Sequence, residues 1–268
     1  MLYHVRICLV SLLVVTCCLS GAAAATLEEQ ALQVFNQHKD AVVTVELVVE
    51  QNFSMMGMGG ESEEMRIETT GTVIDNTGLI VVALSATDPM SMVTGLMGGM
   101  LGDDMKMQSK ITDANIQTDG TPIPAKVILR DKDNDLAFIR PITAPEPPLP
   151  FIDLSNSVQP GLLDPIVVVE RLGKVASRIH TVDLVRITGI VERPRLFYLT
   201  ASQAVGAPAF SSDGSCVGIF VVRMMNTAGG SGFSPLSMIS GMSGMQDSIS
   251  VILKPVSVIT EAAAQAPP

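Results

Sequence analysis

Two hydrophobic periods divide this chain. Between Leu27 and Lys39 (LEEQALQVFNQHK), Leu27, Ala31, Val34 and Phe35 fall on one side of a 3.6-residue repeat, which predicts a short amphipathic helix. From Ala41 onward the pattern changes to short β-branched runs separated by turn residues. These predict strands at Ala41–Val49, Met65–Ile74, Leu79–Leu84, Ile123–Leu129, Leu136–Ile142, Pro165–Glu170, Arg178–Val191, Leu196–Thr200, Cys216–Arg223 and Ile249–Leu253. Turns are expected at Asp75-Asn76-Thr77-Gly78, Asp119-Gly120, Gln159-Pro160-Gly161 and Asp213-Gly214. Many short strands without intervening helices point to an all-β barrel or sandwich rather than βαβ units. The Pro-rich stretch Ala144–Pro150 falls between two sets of strands, as a link between two halves would.

The ends and the gaps follow a different pattern. Arg6, the apolar run Ile7–Leu19 and the small residues Gly21–Ala25 have the order of a secretion signal. The run is short of the roughly 20 residues a membrane span takes. Residues 1–25 are therefore expected to be removed on export, leaving a domain over 26–260 and a flexible tail over 261–268. Within that domain the first half covers about 41–143 and the second about 151–256. The product would be periplasmic or secreted, without a membrane role once the signal is gone. Met/Gly-rich stretches at Ser54–Gly60 and Met90–Met107, and a Gly/Ser/Met-rich one at Asn226–Met245, are expected to be long surface loops.

Composition narrows the function. The formal net charge is -10 and no basic patch stands out, which argues against nucleic acid and anionic membrane surfaces as partners. Of four cysteines, Cys8, Cys17 and Cys18 would leave with the signal. Cys216 alone remains, so the core and not a disulfide must hold the exported domain. Aromatics make up 4% of residues, leaving Val, Ile, Leu and Met to fill that core.

Candidate chemistry concentrates in Leu199–Ile219, LTASQAVGAPAFSSDGSCVGI. With Thr70–Asp75 followed by Gly78-Leu79-Ile80, with Asp131–Ala137 (DKDNDLA), and with Leu154–Gly161 leading into Ile166–Val169, it forms four blocks in a fixed order. Together they resemble the trypsin-like serine proteases of the HtrA (Deg) type. The resemblance covers about Val42 to Val256 and implies a double β-barrel. The carboxy-terminal PDZ domain common in that family is not expected here.

Carried over residue by residue, the resemblance sets Ser85 at the histidine position, Asp135 at the acid and Val205 at the nucleophile. Gln203 and Val205 then occupy the positions whose N–H groups form the oxyanion hole. Valine has neither a proton to give nor a lone pair to attack with, and serine is no general base near neutral pH. What the resemblance implies is a proteolytically inactive homologue, without cofactor, that binds a protein or peptide. Two alternatives remain open. One is a serine endopeptidase with a rearranged site, for instance Ser202 with His180. The other is a copper-binding protein using the spaced thioethers Met56/Met58, Met90/Met92 and Met105/Met107, although Met beside Gly is also simply an adaptable apolar surface.

Overall fold

The structure is a computed structural model that describes residues 25–55, 62–87, 105–118, 120–224 and 249–267. The signal segment up to residue 24, most of the Met/Gly-rich stretches and the whole of 225–248 lie outside the described residues.

Helix α1 (Leu27–His38) forms where the 3.6-residue period places it. Its start is fixed by a capping box, with Glu29 N–H donating to Thr26 Oγ1 (3.2 Å) and Thr26 N–H to Glu29 Oε2 (2.9 Å). Ala31 and Val34 are buried against Ile152, Val167, Val169, Phe210 and Cys216.

The first strand set is β1 (Val42–Met55), β2 (Ser62–Val73), β3 (Ile80–Ala83), β4 (Met105–Gln117), β5 (Ile123–Asp131) and β6 (Leu136–Pro141). It closes into a barrel in the order β1-β2-β3-β6-β5-β4. Alternate residues of β1 (Val43, Val45, Leu47 and Val49) point inward to meet Ile80, Val82, Ile116, Ala137 and Ile139. At Gly71 a Cβ would stand 2.7 Å from the Ile80 side chain, so the barrel wall is packed too tightly there for any larger residue.

The second set is β7 (Pro165–Arg171), β8 (His180–Arg186), β9 (Gly189–Val191), β10 (Phe197–Leu199), β11 (Pro208–Ser211), β12 (Cys216–Met224) and β13 (Ile249–Pro255). It is ordered β8-β7-β11-β12-β13-β10-β9. Its end strands are consecutive in the chain, so the sheet curls around Ile166, Val168, Tyr198, Val217, Phe220 and Leu253. The architecture is thus all-β, as the strand pattern implied, and the double barrel with a short N-terminal helix that the resemblance implied.

Four local readings change. Ser54–Met55 and Met105–Met107, expected in loops, are strand: Ser54 pairs with Lys106 and Met55 with Met105. The remainder of β4 carries no visible alternation because Thr112 is an extra residue opposite the Val48/Val49 step, where a bulge interrupts the period of two. Arg178–Val191, read as one strand, breaks between β8 and β9. There buried Ile187 donates to the Asp164 carbonyl (3.1 Å) and accepts from Leu163 N–H (2.9 Å), turning the chain. The region expected as a tail is not free either. Helix α3 (Val256–Ala263) runs into it, with Val256, Ile259 and Ala262 buried on one face.

The two barrels share an apolar seam. Ile74, Leu79, Val81, Leu136 and Phe138 from the first pack with Phe197, Ile219, Val221 and Ile252 from the second, and with Ile259 and Ala262 of α3. Polar ties flank it. Glu68 on β2 accepts from Arg178 Nε (3.1 Å) and from Lys174 N–H (2.7 Å), and an ion pair to Arg178 Nη2 reinforces this. Burial pushes the Glu68 carboxyl up, but these donors and their charges outweigh it and hold it below the ordinary value. His180 Nε2 bonds the Val42 carbonyl at 3.0 Å.

His38 at the end of α1 stacks on Phe210, with centroids 4.2 Å apart, and its buried Nε2 lacks a hydrogen-bond partner among the described residues. Burial lowers its pKa and the Gly214 backbone only partly offsets this, so the folded state keeps the ring neutral. A histidine whose folded pKa is depressed contributes fully above its unfolded value, and that contribution is lost as pH falls through it. Urea midpoints measured between about pH 7.5 and 5 should therefore fall more for the wild type than for His38→Phe, which keeps the stack without a titrating group. Equal slopes would refute this account.

Candidate active site

The turn before β6 is built to aim one carboxylate at the seam. Asp131 caps it, its Oδ1 accepting from the N–H groups of Asp133 (3.0 Å) and Asn134 (3.1 Å), with Asn134 Nδ2 donating to Oδ2 (2.7 Å). Asp135 then adopts φ 57°, a left-handed conformation that aspartate tolerates better than most residues. Its carbonyl accepts from Leu84 N–H at 2.9 Å. Its carboxylate accepts from Ser85 N–H on Oδ1 (2.7 Å), and from Ser85 Oγ and Val222 N–H on Oδ2 (both 2.8 Å). Ser85 lies on the one-turn helix α2 (Leu84–Thr87) of the first barrel, and Val222 on β12 of the second. One side chain therefore links the two.

Burial is the largest influence on Asp135 and raises its pKa. The bonds from Ser85 and Val222 and the charge of Lys254 oppose the rise without cancelling it. Lys254 is itself only 5% exposed and donates to Asn134 Oδ1 at 3.1 Å. Burial lowers its pKa, the nearby charges of Arg195 and Arg223 add to the effect, and Asp131 and Asp135 work against it.

Val205 lies on the apolar side of the same region. With Ala86, the neighbour of Ser85, it packs on the inter-barrel seam that also holds Leu136, the neighbour of Asp135. Ser85 and Asp135 are thus in direct contact, while Val205 belongs to the same extended apolar cluster as their neighbours.

The loop carrying Val205 is a tight turn, closed by Ala207 N–H to the Ala204 carbonyl (3.1 Å), with Gly206 at φ +85°. A positive φ at this third position is what a type II turn requires. A Cβ on Gly206 would stand 2.3 Å from the Thr70 carbonyl oxygen, so only glycine fits there. Thr72 Oγ1 donates to the Gly206 carbonyl (3.2 Å), fastening the loop to the first barrel. Gln203 is exposed, and its carbonyl accepts the Val205 N–H at 2.9 Å. That N–H is consumed within the loop.

The other sequence candidates do not assemble. His180 Nε2 is bonded to Val42, while Ser202 Oγ accepts from Ala204 N–H at 3.4 Å, so neither bonds the other. Met105 and Met107 stand in β4, whereas Met56, Met58, Met90 and Met92 lie outside the described residues. No group of three or more His, Cys, Asp or Glu side chains is placed to hold a metal ion among the described residues. Cys216 is buried, and burial pushes its thiol up to about 12, which makes it a packing residue rather than a nucleophile.

Sequence reasoning missed Val222 and Lys254. A backbone donor leaves no side-chain signal, and a lysine in a strand gives no sign that it will be buried.

A model of the trypsin-like peptidase domain matches residues 69–219, more than half of the chain and the span holding Ser85, Asp135 and Val205. The chain belongs to the trypsin-like peptidase domain family. Among solved structures, the apo protease domain of MamO from Magnetospirillum magneticum is similar, with a TM-score of 0.49 and 12% identity over 85% of this chain and 97% of that one. No curated protein matches.

In this trypsin-like domain, Asp135→Asn keeps the left-handed turn but sets an amide donor against one of the donors that the carboxylate accepts. The substitution should cost about 1–3 kcal/mol of unfolding free energy by urea titration. The sign with pH is also fixed. A carboxyl whose folded pKa is raised carries a burial cost while ionised, and that cost is relieved as pH falls through the folded value. The advantage of wild type over Asp135→Asn should therefore widen from about pH 7 toward pH 4. A gap that narrows would contradict the assignment.

Proposed function

We propose that this protein is an exported, proteolytically inactive homologue of the HtrA-type proteases that acts by binding a protein or peptide. Ser85, Asp135 and Val205 then stand where the family has its histidine, acid and nucleophile, and Gln203 and Val205 where it has its oxyanion donors. One observation carries the reading: the Asp135 carboxylate is filled by Ser85 N–H, Ser85 Oγ and Val222 N–H, with no imidazole in the set. An acid of this kind orients a base during acyl transfer, and here it orients a hydroxyl that cannot take a proton near neutral pH.

Two further features agree with loss of catalysis. Val205 offers no nucleophilic atom, and its N–H is bonded to Gln203. The apolar run before Thr26 supports export. The frame of a protease cleft is kept while its chemistry is absent, a combination suited to holding a partner rather than cutting it.

The protein should neither cleave casein nor be labelled by a serine-reactive fluorophosphonate, and Val205→Ser alone should also stay unlabelled for want of a base. Labelling of the wild type that disappears in Ser202→Ala would overturn this reading and install the rearranged serine site. Labelling unchanged in Ser202→Ala and absent from a mock purification would overturn the reading as well, with the nucleophile elsewhere in the chain.

A further inference from the structure

A cavity of ≈ 270 Å³ lies against the β7–β8 ribbon and the loop before Val205, among Val168, Glu170, Thr181, Asp183, Ser202 and Ala204. The register explains its chemistry. Val168 pairs with Asp183 and Glu170 with Thr181, so these four side chains share one face of the ribbon. The opposite face carries Val167, Val169, Val182 and Leu184, packed with α1. One wall of the cavity is apolar, since Val168 and Ala204 belong to the core of the second barrel. The other wall is acidic.

Glu170 is the unusual member. It is half-buried, and burial raises its pKa with no bond or charge opposing the rise. No hydrogen bond or ion pair reaches its carboxylate among the described residues. Arg171, next in the chain, turns away and donates from Nε to the Arg178 carbonyl at 3.1 Å. Asp183 spends one oxygen on Leu184 N–H (2.8 Å) and keeps the other. A carboxylate drawn partly out of water without a counter-charge is a cost to the fold, and a ligand that brings a cation removes it.

We propose that this cavity binds a primary ammonium on an alkyl stem, the chemistry of a lysine side chain. The stem lies along Val168 and Ala204, and the ammonium sits between Glu170 and Asp183 with the Thr181 hydroxyl as a third acceptor. An ammonium has three donors and a compact head, which suits a pocket of this size with acceptors on one side. The net charge of -10 favours the approach of such a ligand. The site extends the binding reading above by naming the chemistry of the partner. It is testable apart from it: a failed titration leaves the inactive site standing, and observed proteolysis would leave the cavity standing.

The test is an amide NMR titration of ¹⁵N-labelled protein with acetyl-Gly-Lys-Gly-amide, its norleucine counterpart and n-butylammonium chloride. The lysine peptide should give saturable shifts at Glu170, Thr181, Asp183, Gln203 and Ala204 with Kd on the order of millimolar, and the neutral norleucine peptide should bind at least about tenfold more weakly. Glu170→Gln should weaken the lysine peptide about tenfold, and Asp183→Asn, at an exposed position, about threefold. Butylammonium binding as tightly as the peptide supports the site with a free amine as ligand, and weaker binding supports it with a peptide. Absence of saturable shifts, equal binding of norleucine, or lysine-peptide affinity unchanged in both variants would overturn the proposal.

Discussion

The structure turns on a buried charge that must be satisfied. Asp135 sits where two barrels meet, in surroundings that disfavour its ionised form, and it is tolerable there because three donors converge on it from opposite sides. That requirement fixes the position of α2 against β12, and with it the relation of the first barrel to the second. The apolar seam supplies most of the attraction between the barrels, but it is non-directional. The carboxylate supplies direction.

The same bonds give Asp135 an architectural role in this trypsin-like domain, because removing the acid would leave Ser85 N–H and Val222 N–H short of an acceptor inside the fold. Val205 packs on the seam as an apolar residue, and Ser85 fulfils its role as a hydrogen-bond donor. Gly206 persists for a reason of its own, since the Thr70 backbone leaves no room for a Cβ.

Much of the fold was legible because its signals are local. The α1 period, the turn residues and the β-branched runs of β1, β3, β6, β7 and β12 each act within a few residues. Where the reading failed, the decisive partner lay far along the chain. The polar sequence of β4 became a strand because β1 offered it an edge, and a bulge at Val48/Val49 hid its alternation. The short β11 had too few residues to show any period. The end of helix α3, expected to begin a tail, is held by Ala262 against residues more than a hundred positions earlier.

The site divides in the same way. The sequence by itself determined which atoms are available: a carboxylate at Asp135, a hydroxyl at Ser85 and a hydrocarbon at Val205. Tertiary structure decided how those atoms are used. Only folding brings Ser85 Oγ and Val222 N–H to Asp135, and leaves Glu170 half-buried without a counter-charge among the described residues. Covalent identity is a property of single residues, whereas burial and hydrogen bonding belong to neighbours that the chain supplies from tens to hundreds of residues away.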